Sequence, residues 1–67
     1  MKIAAYMKHL TDDPNARAEF HADPEGAMTS FGLSAEERAV VATKDHAKIQ
    51  AAVAKAAPAH GPLVITF

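Results

Sequence analysis

Apolar side chains fall at Ile3, Tyr6, Met7 and Leu10, the i, i+3, i+4, i+7 spacing that puts four residues on one helical face. The spacing predicts a short amphipathic helix over residues 3–10. Thr11-Asp12-Asp13-Pro14 then combines capping oxygens with a proline suited to the first helical position, so a second helix is expected from about Pro14, with Ala16 and Phe20 inward. Asp23-Pro24 repeats the signal and starts a third helix, which carries Ala27, Met28 and Phe31 inward and ends at Gly32, a left-handed terminator. Ser34-Ala35-Glu36-Glu37 matches a capping box, in which the serine oxygen and the glutamate three residues on satisfy each other's orphan amides. It predicts a fourth helix from about Ala35 to Ala42, with Leu33 as a staple and Val40 and Val41 facing the core. Thr43 or Asp45 caps a fifth helix with the stripe Ile49, Val53 and Ala56, and with Lys44, Lys48 and Lys55 on its solvated sides; Pro58 ends it.

Past Pro58 the helical period disappears. Ala59-His60-Gly61-Pro62 has no period and reads as a flexible or extended connector, and Pro62 biases Gly61 away from helix. Leu63-Val64-Ile65-Thr66-Phe67 is uncharged and β-prone, with no strand upstream to pair with. A lone strand with unsatisfied backbone groups must lie on another chain, stay exposed or be a substrate. The expected architecture is therefore all-α, a small bundle of about five short helices followed by an extended C-terminal tail. Its expected division is a helical domain over 1–57, a linker over 58–62 and a tail over 63–67.

Composition narrows the function classes. A chain of 67 residues is one domain at most, in the size range where a single core supplies only roughly 3–5 kcal/mol. The hydrophobic content of 49% overstates that core, because alanine dominates it and buries little area per residue. A net charge of −1 gives no electrostatic footprint for nucleic acid or an acidic membrane, so neither is expected as a partner. The absence of cysteine removes disulfide frameworks and thiolate zinc sites. No apolar run reaches membrane-span length, and Met1 to Tyr6 lacks the apolar core of a signal peptide, which makes the (bacterial) cytoplasm the expected location.

Candidate chemistry is sparse. His9, His21, His46 and His60 form no pair at i+3 or i+4, so they read as structural or solvated residues rather than metal ligands. Glu36 and Glu37 are adjacent, about 100° apart on a helix, and both fall in a first turn where negative charge complements the macrodipole. Capping accounts for them without acid–base chemistry. Tyr6, Phe20 and Phe31 sit on apolar faces and read as core. No catalytic residue, metal ligand or cofactor-binding residue is expected in this chain. The tail is the exception to these bland readings, since an exposed run of Leu, Val, Ile and Phe is an aggregation hazard unless covered or modified.

The run from Phe20 to Glu37, with its aromatic, Pro24-Glu25-Gly26-Ala27-Met28 and Gly32-Leu33-Ser34-Ala35-Glu36, resembles a segment shared by two groups. One is the small all-helical subunit of protocatechuate-type (LigAB-type) extradiol ring-cleavage dioxygenases. The other is the leader domain of split borosin precursors, ribosomal peptides whose backbone amides become N-methylated. The tail tips the choice toward the second, because split borosin cores are of the type Leu-Val-Ile followed by Ser or Thr, and Leu63-Val64-Ile65-Thr66 is similar. Family cores often run on into a polar stretch, whereas Phe67 stands here, which leaves the register open.

The borosin resemblance implies that a separate α-N-methyltransferase, a dimer taking two precursors and using S-adenosylmethionine, docks on the helices and methylates backbone nitrogens in the tail. By that resemblance Leu63 and Ile65 are the modified positions and Val64 the reserve. An amide nitrogen is almost non-nucleophilic because its lone pair is delocalised, so it must be held beside the methyl donor, and an extended chain presents alternate residues to the same side. Tethering through a docked leader raises the tail's effective concentration at the enzyme. The alternatives are an accessory subunit of a ring-opening dioxygenase and a stand-alone helical interaction module whose tail adds a strand to a partner sheet.

Overall fold

A computed structural model describes residues 2–56, which form five helices: α1 (Ile3–Asp12), α2 (Pro14–Ala22), α3 (Pro24–Phe31), α4 (Ala35–Ala42) and α5 (His46–Ala56). No strand occurs among the described residues. The all-α expectation holds for them, while the 57/58 boundary, the linker and the tail over 63–67 lie outside them.

Local chemistry sets each helix start. Asp13 accepts a hydrogen bond from the Asn15 amide at 2.9 Å, ahead of Pro14 at the first helical position of α2. Asp23 repeats this for α3, accepting from the Gly26 amide at 3.1 Å. At α4 both arms of the capping box are made, Glu37 N–H to Ser34 Oγ at 3.3 Å and Ser34 N–H to Glu37 Oε1 at 3.1 Å. Asp45, rather than Thr43, caps α5, accepting from the amides of Ala47 and Lys48. Gly32 ends α3 with φ of 97°, and its amide reaches back to the carbonyls of Met28 and Thr29.

The helices close into a ring. α1 packs against α2 and α5, α2 against α3, α3 against α4, and α4 against α5. Phe20, Ile3, Met7, Leu10, Met28, Ile49, Val41 and Val53 are fully buried at its centre, joined by Tyr6, Ala16 and Leu33. At about 1.5–3 kcal/mol for each fully buried large side chain, this cluster is the main stabilising term of the domain.

Four residues expected on the apolar faces are only half-buried: Ala27, Phe31, Val40 and Ala56. Val40 and Val41 point about 100° apart on α4, so when Val41 fills the core Val40 falls on its rim. α1 also runs to Asp12, past the expected Leu10, because its last carbonyls find a donor beyond the helix. Arg17 Nη1 donates to the carbonyls of Leu10 and Thr11 at 2.8 and 2.9 Å, which ties α2 to the end of α1.

Candidate functional site

The start of α1 has no capping side chain of its own. Its first amides are taken by Glu37, more than thirty residues away: Oε2 accepts from Lys2 N–H and Ile3 N–H, both at 2.8 Å. Oε1 meanwhile serves Ser34, so one carboxylate caps α4 and α1 together. Glu37 is 3% exposed, the one charged residue buried among those described. Burial pushes its carboxyl up, but the amides of Ser34, Lys2 and Ile3 with the Ser34 hydroxyl outweigh that and hold it below the ordinary carboxylate value. Glu37 is therefore ionised at neutral pH.

Above this tie lies an open groove of about 150 Å³ between α1, α4 and α5, lined by Ile3, Glu36, Glu37, Val40, Ala52 and Lys55. Its lining is mainly apolar. Glu36 and Lys55, both exposed, stand with opposite charge at its rim. A second, shallower concavity of about 280 Å³ lies between α2 and α3, lined by Glu19, Ala22, Asp23, Gly26, Ala27 and Ser30.

The aromatic residues form a chain across the core. Tyr6 meets Phe20 edge-on at 6.2 Å and Phe31 at 4.9 Å, and the exposed His9 stacks on Phe31 at 5.3 Å. The Tyr6 hydroxyl is buried and has no hydrogen-bond partner among the described residues. Burial, and then the negative charge of Glu19, push its ionisation up. Lys44 adopts a left-handed backbone with φ of 53° and sets its ammonium 6.0 Å from the Phe20 ring centroid.

Of the sequence-expected site residues, Leu63, Val64 and Ile65 fall outside the described residues. His9, His21 and His46 are exposed on separate helices, and His60 is outside the described residues; among the latter no three His, Cys, Asp or Glu come together as a metal-holding group. Glu36 and Glu37 are not brought together as an acid–base pair, one pointing to solvent and the other buried against amides. Sequence reasoning missed the long-range half of Glu37 and the docking role of Arg17. Neither leaves a signal in residue type, because both meet backbone groups, more than thirty residues away for Glu37 and six or seven for Arg17. No helix among the described residues is long and apolar enough to cross a membrane.

Fold and site together define a small helical module whose carboxylates Asp13, Asp23, Asp45 and Glu37 are committed to helix starts. A family model described as the aromatic-ring-opening dioxygenase LigAB, LigA subunit, matches residues 3–55. The chain belongs to that family. Neither a curated protein nor a solved structure matches it significantly.

Proposed function

We propose that this chain is no enzyme but the substrate-bearing docking partner of a separate α-N-methyltransferase of the split borosin type. Helices α1–α5 are the docked part, and the backbone nitrogens of Leu63 and Ile65, with Val64 in reserve, are the methyl acceptors. The observation that carries this reading is the succession along the chain. Helices α1–α5 gather one core among the described residues, and the uncharged, β-prone Leu63-Val64-Ile65-Thr66 follows them in the sequence. Those residues have the composition of a segment that needs a partner's backbone or a change to its own.

The chemistry asked of the partner is an N-methyl transfer. The amide N–H proton leaves to a base of the enzyme, the nitrogen lone pair bonds to the methyl carbon, and the S-adenosylmethionine sulfonium departs as a neutral thioether. Positioning supplies much of the rate, because amide resonance leaves the nitrogen a poor nucleophile. Each methyl then deletes a backbone donor and suppresses strand pairing of the tail, as proline does at an edge strand.

Family membership favours a second reading, an accessory subunit of a ring-opening dioxygenase in which the helices sit on a larger catalytic chain. Fragment mass spectrometry after incubation with a split borosin α-N-methyltransferase and S-adenosylmethionine separates the two. Methyl increments on the backbone at Leu63 and Ile65 are the expected result. A complex that forms while the tail stays unmodified overturns the substrate reading in favour of the accessory subunit or a stand-alone interaction module.

A further inference from the structure

We infer that the groove between α1, α4 and α5 is a docking site for this chain's own tail, and that Leu63 is the side chain it takes. The groove's volume of about 150 Å³ suits one large apolar group, since a dry engineered cavity of about that size takes up benzene. Val40 and Ala52 supply apolar walls, with the fully buried Ile3 beneath them. Val40, Ala52 and Ala56, with Ala4, are packed on the core yet only half covered, so four of the five partly buried apolar residues beside the core among those described lie on the helices that frame the groove, Phe31 on α3 being the fifth.

Connectivity selects the occupant. Ala52 and Lys55 line the groove, and the last described residue, Ala56, follows Lys55 directly. Leu63 is the first large apolar residue after it, beyond Ala57, Pro58, Ala59, His60, Gly61 and Pro62. Six residues span up to about 20 Å when extended, while Ala52 lies about 6 Å back along α5 from Ala56. The connector is therefore long enough to reverse and lay Leu63 over the groove, and Pro58 and Gly61-Pro62 favour leaving the helix and turning. An extended occupant brings both backbone donors and acceptors, which the carboxylate of Glu36 and the ammonium of Lys55 can meet at the rim. A segment already tethered beside the site sees it at millimolar effective concentration, an advantage no separate apolar ligand has.

The capture stands apart from the methylation reading, because it requires no enzyme. Where both hold, the methyltransferase must draw Leu63 out of the groove before its nitrogen can react.

The test is nuclear Overhauser spectroscopy on the isotope-labelled full chain without any enzyme. Expected are contacts from the Leu63 methyls to the methyls of Val40 and Ala52. They should persist on dilution and be absent from isotope-filtered spectra of mixed labelled and unlabelled chains. In Leu63→Asp the amide signals of Val40, Ala52 and Lys55 should shift while those of Ala22 and Ser30, at the other concavity, stay in place. Missing contacts, contacts that appear only between chains, or a Leu63→Asp spectrum unchanged at the groove would each overturn the inference. None of these outcomes bears on whether the tail is a methyl acceptor.

Discussion

Replacing Glu37 tests the tie on which the ring closes. Glu37→Ala strands three amides at once: Ile3 N–H, which is buried, and Lys2 and Ser34 N–H, which are part-buried. An orphaned buried donor costs about 1–3 kcal/mol, and the two outer amides regain water at a smaller penalty, so the total loss is about 2–4 kcal/mol. A domain of this size has roughly 3–5 kcal/mol to lose, and Glu37→Ala should sit at the edge of unfolding. Glu37→Gln is the sharper probe. Its single carbonyl oxygen can face either Ser34 or the Lys2–Ile3 pair, and the amide NH2 then opposes an N–H on the other side, for a loss of about 1–3 kcal/mol. The pH dependence follows from the lowered carboxyl. A group whose folded value lies below its ordinary 4.5 stabilises fully above 4.5, and loses that contribution as pH falls through the folded value. Urea unfolding followed by far-UV circular dichroism should therefore separate wild type from Glu37→Gln at neutral pH and bring them together in acid. Equal midpoints at neutral pH, or a gap that survives acidification, would refute the claim that an ionised Glu37 holds α1 to α4.

Tyr6→Phe removes a hydroxyl that is buried without a partner among the described residues, so stability should hold or rise by up to about 1 kcal/mol; a thermal midpoint well below wild type would show that the hydroxyl is bonded. Lys44 carries a side chain at φ of 53°, where glycine is free and a β-branched residue clashes. Lys44→Gly should be at least as stable as wild type even without the ammonium near Phe20, whereas Lys44→Val should lose about 1–2 kcal/mol in chemical denaturation, and equal values for the two would contradict the left-handed backbone.

The parts of this fold that were legible in the sequence are those whose chemistry is local. Asp13-Pro14 and Asp23-Pro24 each hold a cap and its helix start within two residues, and Ser34 and Glu37 lie three apart, so α2, α3 and α4 could be bounded before any coordinates. Gly32 was legible for the same reason, as a terminator read from a single residue type. Periodicity also named the buried face correctly at Ile3, Tyr6, Met7 and Leu10. It could not say how far each face would be covered, because coverage depends on which helices meet at an edge, and Phe31 and Val40 ended half-exposed on that account. The carboxylate that starts α1 stands on α4, and the guanidinium that finishes α1 stands on α2. Glu37 lies 35 and 34 residues from the amides it takes, and Arg17, though only seven and six residues from its carbonyls, meets backbone oxygens that any residue type would offer. The groove was likewise invisible, since its lining comes from three helices.

The tie and the groove share their residues, and this decides where the tail can be probed. Ile3 gives its amide to Glu37 and its side chain to the core beneath the groove, while Glu37 itself lines the groove from below. Loosening Glu37 therefore frees the first turn of α1 and with it the floor of the site, so stability and any capture of the tail fall together in a Glu37 variant. On the capture inference, a change at Leu63 alters the occupant while the walls and the carboxylate, which belong to other residues, stay in place. A partner enzyme that docks on the outer faces of α1–α5 likewise leaves the buried carboxylate untouched, because both its oxygens are already occupied by amides within the ring. The ring can thus keep one rigid form whether the tail lies in the groove or in another protein's active site, which is what a domain must do if its role is to hold a segment and then release it.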